Sequence, residues 1–522
     1  MKLKARLSVL RGALPSLGLV GMLWLAAQMP VCATRGLLSR GNVISFVDHD
    51  LKVVQKFCLR VDGKPFYMTN IQVRLDKLRY AWGWDAAARE ALIARAAADG
   101  FNTVSIPIHW VEVEPEKDKF DGAILDEYLG LALKYQLKVE LLWFGQNSGG
   151  HVQWLGDPRS NPVHLRTPDY VLYSPKPGAS ETTTEYKIRR DMSDYSLDLA
   201  DRRLMEREAY VLGKMMRRIA WWDKANGSKH TVIGVQLGNE VRGRNKKGFP
   251  ASLIIDYMNE LGDAVKNSPY SVWTRMNCVW GDHTSRIEAN EKLRAGSGTN
   301  IDFIGIDLYT SNPSTIRGIL PNKGLNYRMI MECGAEVSNA AQLQLAALSG
   351  NNAYDHYDMC GPDGHGLYDR SGTVGFTPNG TYIDDVRTVN RLINSANVDI
   401  ATNAHGNGLY VHNWSGKSAA ATTGVDGVNF TPESSSSQAL SIRRSDSEII
   451  LMSTKGGAFT YPEKLGIHGA SKGYFDRDNN WVDEGSVHFT GTSISPEPGV
   501  TVRLTRSQTS GAARNRKSEQ IQ

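Results

Sequence analysis

Gly234-Val235-Gln236-Leu237-Gly238-Asn239-Glu240 and Tyr327-Arg328-Met329-Ile330-Met331-Glu332-Cys333-Gly334 are both apolar, strand-like runs that stop at a glutamate. A parallel barrel strand has this look when it delivers a carboxylate to the C-terminal rim. Around the two runs the chain repeats one theme. Short β-type segments fall at 66–73, 103–108, 138–144, 231–237, 271–278, 302–308, 327–331 and 352–357. Amphipathic stretches with apolar residues three and four apart lie between them, at 85–98, 124–135, 203–222, 252–266, 340–348 and 383–394. Strand alternating with helix signals an α/β fold, and eight such units are satisfied by a closed (β/α)8 TIM barrel spanning 50–396.

Beyond residue 397 the texture changes to short strand-like segments separated by Gly, Ser, Asn and Pro. This predicts a smaller C-terminal β-sandwich-like domain to residue 505, followed by a disordered basic tail, 506–522. Long Gly-, Pro- and Ser-rich connections at 146–197 and 358–382 would overhang the strand ends. In the first of them His151, Trp154 and Tyr170 are candidate cleft residues.

The chain has 522 residues, enough for one large core and a smaller one. Its first 33 residues place Lys2, Lys4, Arg6 and Arg11 before an apolar run, with Val31-Cys32-Ala33 at the expected cleavage spacing. That pattern predicts a secretory signal peptide and an extracellular protein. Removing those four cations leaves a chain near neutrality, so nothing calls for nucleic acid, and no membrane association is expected after cleavage. Cys58, Cys278, Cys333 and Cys360 fit no metal-site spacing; a Cys333–Cys360 disulfide and buried thiols are both open. Sequons at Asn226, Asn379, Asn413 and Asn429 would mark surface if glycosylated. No Walker loop, Rossmann fingerprint or His-Glu-x-x-His occurs, and no metal or other cofactor is expected.

Glu240 and Glu332, at the ends of strands four and seven, would face one opening. Two carboxyls about 5–5.5 Å apart are what retaining glycoside hydrolysis needs, one as acid/base and one as nucleophile. Glu240 is assigned the first role and Glu332 the second, with Glu336 as an alternative nucleophile. Either glutamate could instead cap a helix or make a rim ion pair. A non-catalytic carbohydrate-binding barrel is a further alternative. So is a serine hydrolase built on Gly469-Ala470-Ser471-Lys472-Gly473, although the turn-like run that follows lacks the helix which that motif requires.

On these residues the chain resembles the clan of retaining glycosidases with a (β/α)8 barrel. In that clan the acid/base follows an Asn at the end of strand four, matched by Asn239-Glu240, and the nucleophile ends strand seven, matched by Met331-Glu332. It most resembles the β-galactosidase-like branch through Arg60-Val61-Asp62-Gly63-Lys64-Pro65-Phe66 and through Asp99-Gly100-Phe101-Asn102-Thr103-Val104-Ser105. Trp110, Glu114-Pro115 and Phe120-Asp121-Gly122 follow as in that branch. The resemblance covers 58–396. It implies that Asn239 bonds a sugar 2-hydroxyl, that Tyr309 orients the nucleophile and that Trp110, Trp143 and Phe144 offer ring faces to a pyranose. For each ring, core packing is the other reading. Arg74 would hold a carboxylate charged or make a surface ion pair. Cys333-Gly334-Ala335-Glu336 and Pro107-Ile108-His109-Trp110 depart from the branch pattern, which bears on sugar preference more than on reaction. The substrate implied is an oligosaccharide or polysaccharide, most simply a β-galactoside, with an endo-acting cellulase- or mannanase-like enzyme as the alternative.

Overall fold

The computed structural model describes residues 41–47, 55–80, 82–145, 167–168, 170–171, 199–241, 250–320, 326–334, 338–360, 366–372, 374–404 and 408–507. The expected signal peptide, residues 508–522 of the C-terminal tail, His151, Trp154 and Glu336 lie outside these residues; Arg506, expected to open the tail, instead ends the strand Thr501–Arg506.

Eight strands close a parallel barrel in chain order: β1 (Asn70–Gln72), β2 (Thr103–His109), β3 (Lys138–Phe144), β4 (Val232–Gln236), β5 (Trp273–Val279), β6 (Phe303–Asp307), β7 (Met329–Gly334) and β8 (Ala353–Tyr357). Parallel pairing of β8 with β1, Asp355 opposite Asn70, completes the ring. The expected α/β barrel is therefore the fold. The first strand is shorter than its apolar run because the run divides. Lys64–Phe66 pairs with Gln55–Val61, which in turn pairs with Gly41–Val47 in a separate antiparallel sheet. At the break, side chains take the backbone bonds that a ladder would have used: Tyr67 N–H donates to Asn397 Oδ1 at 2.9 Å and Asn102 Nδ2 donates to Tyr67 O at 3.0 Å. Leu59, Val61 and Phe66 of this sheet pack with Ile233, Trp273, Phe303 and Met329 and close the barrel floor.

A helix follows each strand: α1 (Ala86–Ala98), α2 (Ala123–Lys134), α3 (Arg202–Ala225), α4 (Ala251–Lys266), α5 (His283–Gly296), α6 (Pro313–Gly318), α7 (Ala340–Ser349) and α8 (Ile383–Ser395). Their starts are chemically marked. Asp85 and Asp201 cap α1 and α3 by accepting backbone N–H bonds, and Asn312 caps α6 ahead of Pro313. In α3 the stripe Leu204, Val211, Leu212, Met215, Ile219 and Trp222 is buried against the barrel. Truncating one such residue, as in Leu212→Ala, costs about 2–5 kcal/mol.

Asn397–Asn403 forms a short helix, and the antiparallel strands begin at Leu409–His412. Six strands form one sheet and four short ones a second. Glu448–Ser453 shows the period of two: Ile449 and Leu451 face the core between the sheets, with Phe430, Phe459 and Leu504, while Ile450 and Met452 face the barrel helices. Ser471 lies within the continuous strand Ile467–Phe475 and its Oγ accepts from Trp481 Nε1 at 3.1 Å, so no nucleophile elbow exists there.

Two other expectations are corrected. No disulfide joins Cys333 to Cys360. All four described cysteines are buried thiols, and Cys333 Sγ donates to Thr310 O at 3.7 Å. Asn413 is buried, with Nδ2 bonded to Ser435 O and Ser437 O at 2.8 and 2.9 Å, so its sequon offers no surface. Among the described residues no helix is long and apolar enough to cross a membrane.

Candidate active site

The barrel lumen is built in layers from side chains at alternate positions. Along β5, Trp273, Arg275 and Asn277 point inward from floor to rim. At the middle level Arg275 donates to Glu140 Oε2 of β3 at 2.6 Å, and both side chains are almost wholly enclosed. Trp273 Nε1 donates to the other Glu140 oxygen at 2.8 Å. This indole needs the space left by Gly234, where a Cβ would overlap its ring. Asn70 Nδ2 donates to Ser105 Oγ of β2 at 2.7 Å and to Asp355 Oδ2 of β8 at 2.8 Å, bridging the two strands that flank β1. Burial drives the Asp355 carboxyl well above the usual range.

Above this layer four strand ends converge. Asp307, the last residue of β6, accepts from Asn277 Nδ2 at 2.7 Å. The same amide group lies 3.1 Å from Asn239 Oδ1, which also accepts from Gln236 Nε2 at 3.2 Å. Asn277 Oδ1 in turn accepts the backbone N–H of Glu240 at 2.8 Å. That bond holds Glu240 in the left-handed conformation, φ +45°, which a glutamate rarely adopts. Glu240 thus stands on a bend beyond β4 rather than at the strand's last position.

Glu332 reaches the same space by a different device. Met329 and Met331 face the lumen and Ile330 and Cys333 face α7, an alternation that would send Glu332 outward. Between Ile330 and Glu332 the pairing with β6 shifts register: Ile330 lies opposite Ile306, and Glu332 opposite Asp307. Two residues of β7 spanning one of β6 is a β-bulge, and it turns Glu332 inward beside Met331. Tyr309 Oη donates to Glu332 Oε2 at 2.6 Å. Half of the Tyr309 surface is exposed, but its hydroxyl end is enclosed at the carboxylate. Burial, followed by the charge of Glu240, pushes the Glu332 carboxyl up to about 7. The Tyr309 hydrogen bond and the cations Arg74 and Lys77 act in the opposite direction.

The structure thus brings Glu240, Glu332, Asn239 and Tyr309 to one opening. Arg74 sits beside them but forks onto Asp76, with Nε to Oδ1 at 2.9 Å and Nη2 to Oδ2 at 2.7 Å. Its ion pair is buried, not superficial, and its charge still reaches Glu332. Trp110 and Trp143 are fully buried and present no ring face. Their indole N–H groups donate to Glu114 Oε2 at 3.1 Å and Glu208 Oε1 at 2.8 Å, the usual fate of a core tryptophan. Phe144, 1% exposed, stacks beneath the Arg74 guanidinium at 5.3 Å. Tyr170 bonds Glu114 and Arg207, so it belongs to the same buried cluster. Among the described residues, Tyr309 and Trp280, just beyond β5 and 68% exposed, are rings that do face solvent after strand ends.

Sequence reasoning missed Asp307, Asn277, Lys77 and Trp280. For Asp307 the signal was present: Phe303, Gly305 and Asp307 alternate on one face of β6. Asn277 likewise continues Trp273 and Arg275. Lys77, whose Nζ donates to Tyr357 Oη at 2.7 Å, carried no comparable signal. A cavity of about 730 Å³ lies at the other end of the barrel, lined by Asp62, Lys64, Asn102, Lys138, Thr231 and Arg477, away from these groups. No cluster of three or more His, Cys, Asp or Glu side chains suited to a metal occurs among the described residues.

Residues 253–366, from α4 past β8, match a family model described as a domain of unknown function, DUF4978. No curated protein sequence matches the chain. Solved structures similar to it include endo-glycoceramidase II from Rhodococcus sp. as a lactosyl-enzyme intermediate, at 15% identity over 85% of this chain and 98% of that one, with a TM-score of 0.41. The exo-β-1,4-mannosidase Op5Man5 from Opitutaceae bacterium strain TAV5 is 15% identical over 63% and 60%, with a TM-score of 0.43. A family 39 glycoside hydrolase from Bacteroides cellulosilyticus WH2 is 11% identical over 90% and 87%, with a TM-score of 0.41.

Proposed function

We propose that this chain is a secreted retaining β-glycosidase acting on an oligosaccharide or polysaccharide, with a β-galactoside as the preferred substrate. The observation that carries the reading is the meeting of Glu240 and Glu332 at one rim, with Glu332 gripped by Tyr309 and flanked by two cations. Two carboxyls at one opening, Glu332 buried and Glu240 partly so, cannot both hold negative charge cheaply, so one keeps a proton. Tyr309, Arg74 and Lys77 all favour negative charge on Glu332, which suits Glu332 to be the nucleophile and Glu240 to be the acid. Glu240 protonates the glycosidic oxygen as Glu332 attacks the anomeric carbon. The glycosidic C–O bond breaks and a glycosyl ester forms. Glu240, now a carboxylate, takes a proton from water, whose oxygen displaces Glu332 and releases the sugar with retained configuration. Asn239 is the candidate for the sugar 2-hydroxyl.

The test is a panel of aryl β-glycosides (galactoside, glucoside, mannoside, fucoside, xyloside, arabinoside) with Glu332→Gln beside the wild type. Hydrolysis of the galactoside, lost in Glu332→Gln, is the expected result. Turnover preserved in Glu332→Gln overturns the nucleophile assignment. Turnover seen only with longer glycans replaces the exo reading by an endo-acting one.

A further inference from the structure

We infer that Asp307 is a positioning residue for Glu240: a neutral carboxyl at the end of β6 that donates its O–H to the Glu240 carboxylate and, through Asn277, holds the bend on which Glu240 stands. The inference rests on the proposed role of Glu240 and adds a third carboxyl to the site. Asp307 is 3% exposed and lies opposite Glu332 in the β6–β7 register. Its Oδ2 accepts from Asn277 Nδ2, and the other end of the same amide, Oδ1, takes the Glu240 N–H. Its Oδ1 is buried and makes no hydrogen bond of ordinary length among the described residues.

The groups facing Asp307 are Glu332 and Glu240, Arg275 from the layer below, Cys278 from the flanking β5, and Tyr309 from the segment just after β6. Arg275 is already bound to Glu140, so it neutralises Asp307 only weakly. Two acidic neighbours and one spent cation leave a third buried charge uncompensated, and the carboxyl keeps its proton instead. Burial, then Glu332, then Glu240 push it well above the usual aspartate range. A carboxylic acid in this position does what an ionised one could not. When Glu240 gives its proton to the leaving oxygen, the new carboxylate accepts the Asp307 O–H. The proton of Asp307 stays on Asp307 throughout.

Carboxyl carbon NMR of the full chain labelled at aspartate, followed from pH 4 to pH 9, tests this independently of turnover. Asp307→Asn identifies the Asp307 resonance by its loss. That resonance is expected to keep its protonated position at pH 7 and to shift in Glu240→Gln. A resonance that titrates near pH 4 with the exposed aspartates, or ignores Glu240→Gln, overturns the inference. In turnover, Asp307→Asn keeps a donor and is expected to lower kcat/KM about tenfold without moving the limbs of the pH profile, whereas Asp307→Ala loses about 100-fold. Limbs displaced to lower pH in Asp307→Asn would mean that a negative charge had been removed, and would overturn it. If the wild type hydrolyses no glycoside, the glycosidase reading fails, and the resonance still decides whether Asp307 holds its proton against Glu240.

Discussion

Tyr309 Oη donates a 2.6 Å hydrogen bond to Glu332 Oε2, joining the segment after β6 to the end of β7 at the rim of the barrel. A donor aimed at a carboxylate favours its charged form, so this bond opposes the burial that raises Glu332. Tyr309→Phe removes the donor and leaves the ring. The acid limb of kcat/KM, set by ionisation of the nucleophile, is expected to move to higher pH, and kcat to fall about 10- to 100-fold. A pH-rate profile of the two proteins checks both.

Glu332 also links stability to pH. Burial raises its carboxyl from 4.5 to about 7, so the native state binds its proton more tightly than the unfolded chain does. The wild type therefore loses stability as pH rises from about 4.5 to about 7, and the loss is complete above that window. Glutamine carries no such penalty. Glu332→Gln is expected to gain about 3 kcal/mol relative to the wild type between pH 4.5 and pH 8. Calorimetric unfolding at the two pH values measures the difference.

Arg74 and Asp76 form a forked ion pair that is almost wholly buried, and His109 Nε2 lies 2.9 Å from Asp76 Oδ2. Arg74→Ala leaves the Asp76 carboxylate enclosed with one partner fewer. A stability loss of about 3–5 kcal/mol is expected in urea unfolding. Because Arg74 also lowers Glu332, the acid limb of any surviving activity should shift upward in pH.

Trp143 separates a core role from a sugar-binding one. Its N–H is spent on Glu208, which Tyr257 Oη also serves at 2.6 Å. Trp143→Phe is expected to cost about 1.5–3 kcal/mol of stability, the worth of a hydrogen bond to a charged group, while KM for an aryl glycoside changes little. A raised KM with unchanged unfolding would restore the ring to the sugar site.

Much of the barrel was legible because its cause is local. Runs such as Val232–Gln236 are buried on both faces and read as nearly continuous apolar strands, and the Asp and Asn caps of α1, α3 and α6 announce helix starts. α5 and α6 were not foreseen: α5 has a mostly polar surface, and α6 has only six residues beyond its cap. The division of the 66–73 run was equally hidden, since it depends on Asn102 and Asn397, which are distant in the chain. Trp110 and Trp143 misled because a rim tryptophan and a core tryptophan have the same sequence signature. Only the positions of Glu114 and Glu208 tell them apart.

The chain by itself determined the alternation of strand and helix, the β-rich texture of the C-terminal region, and the presence of a glutamate after each of two apolar runs. These properties follow from side-chain period, capping and turn chemistry, which act over a few residues. The tertiary structure alone decided that Glu332 faces inward, because a bulge exists only in the pairing of β7 with β6. It alone bent Glu240 into the left-handed region on an Asn277 hydrogen bond, and it alone set three carboxyls close enough to share charge. Electrostatic coupling acts through space across the barrel mouth, and no local pattern in the sequence encodes the distance over which it works.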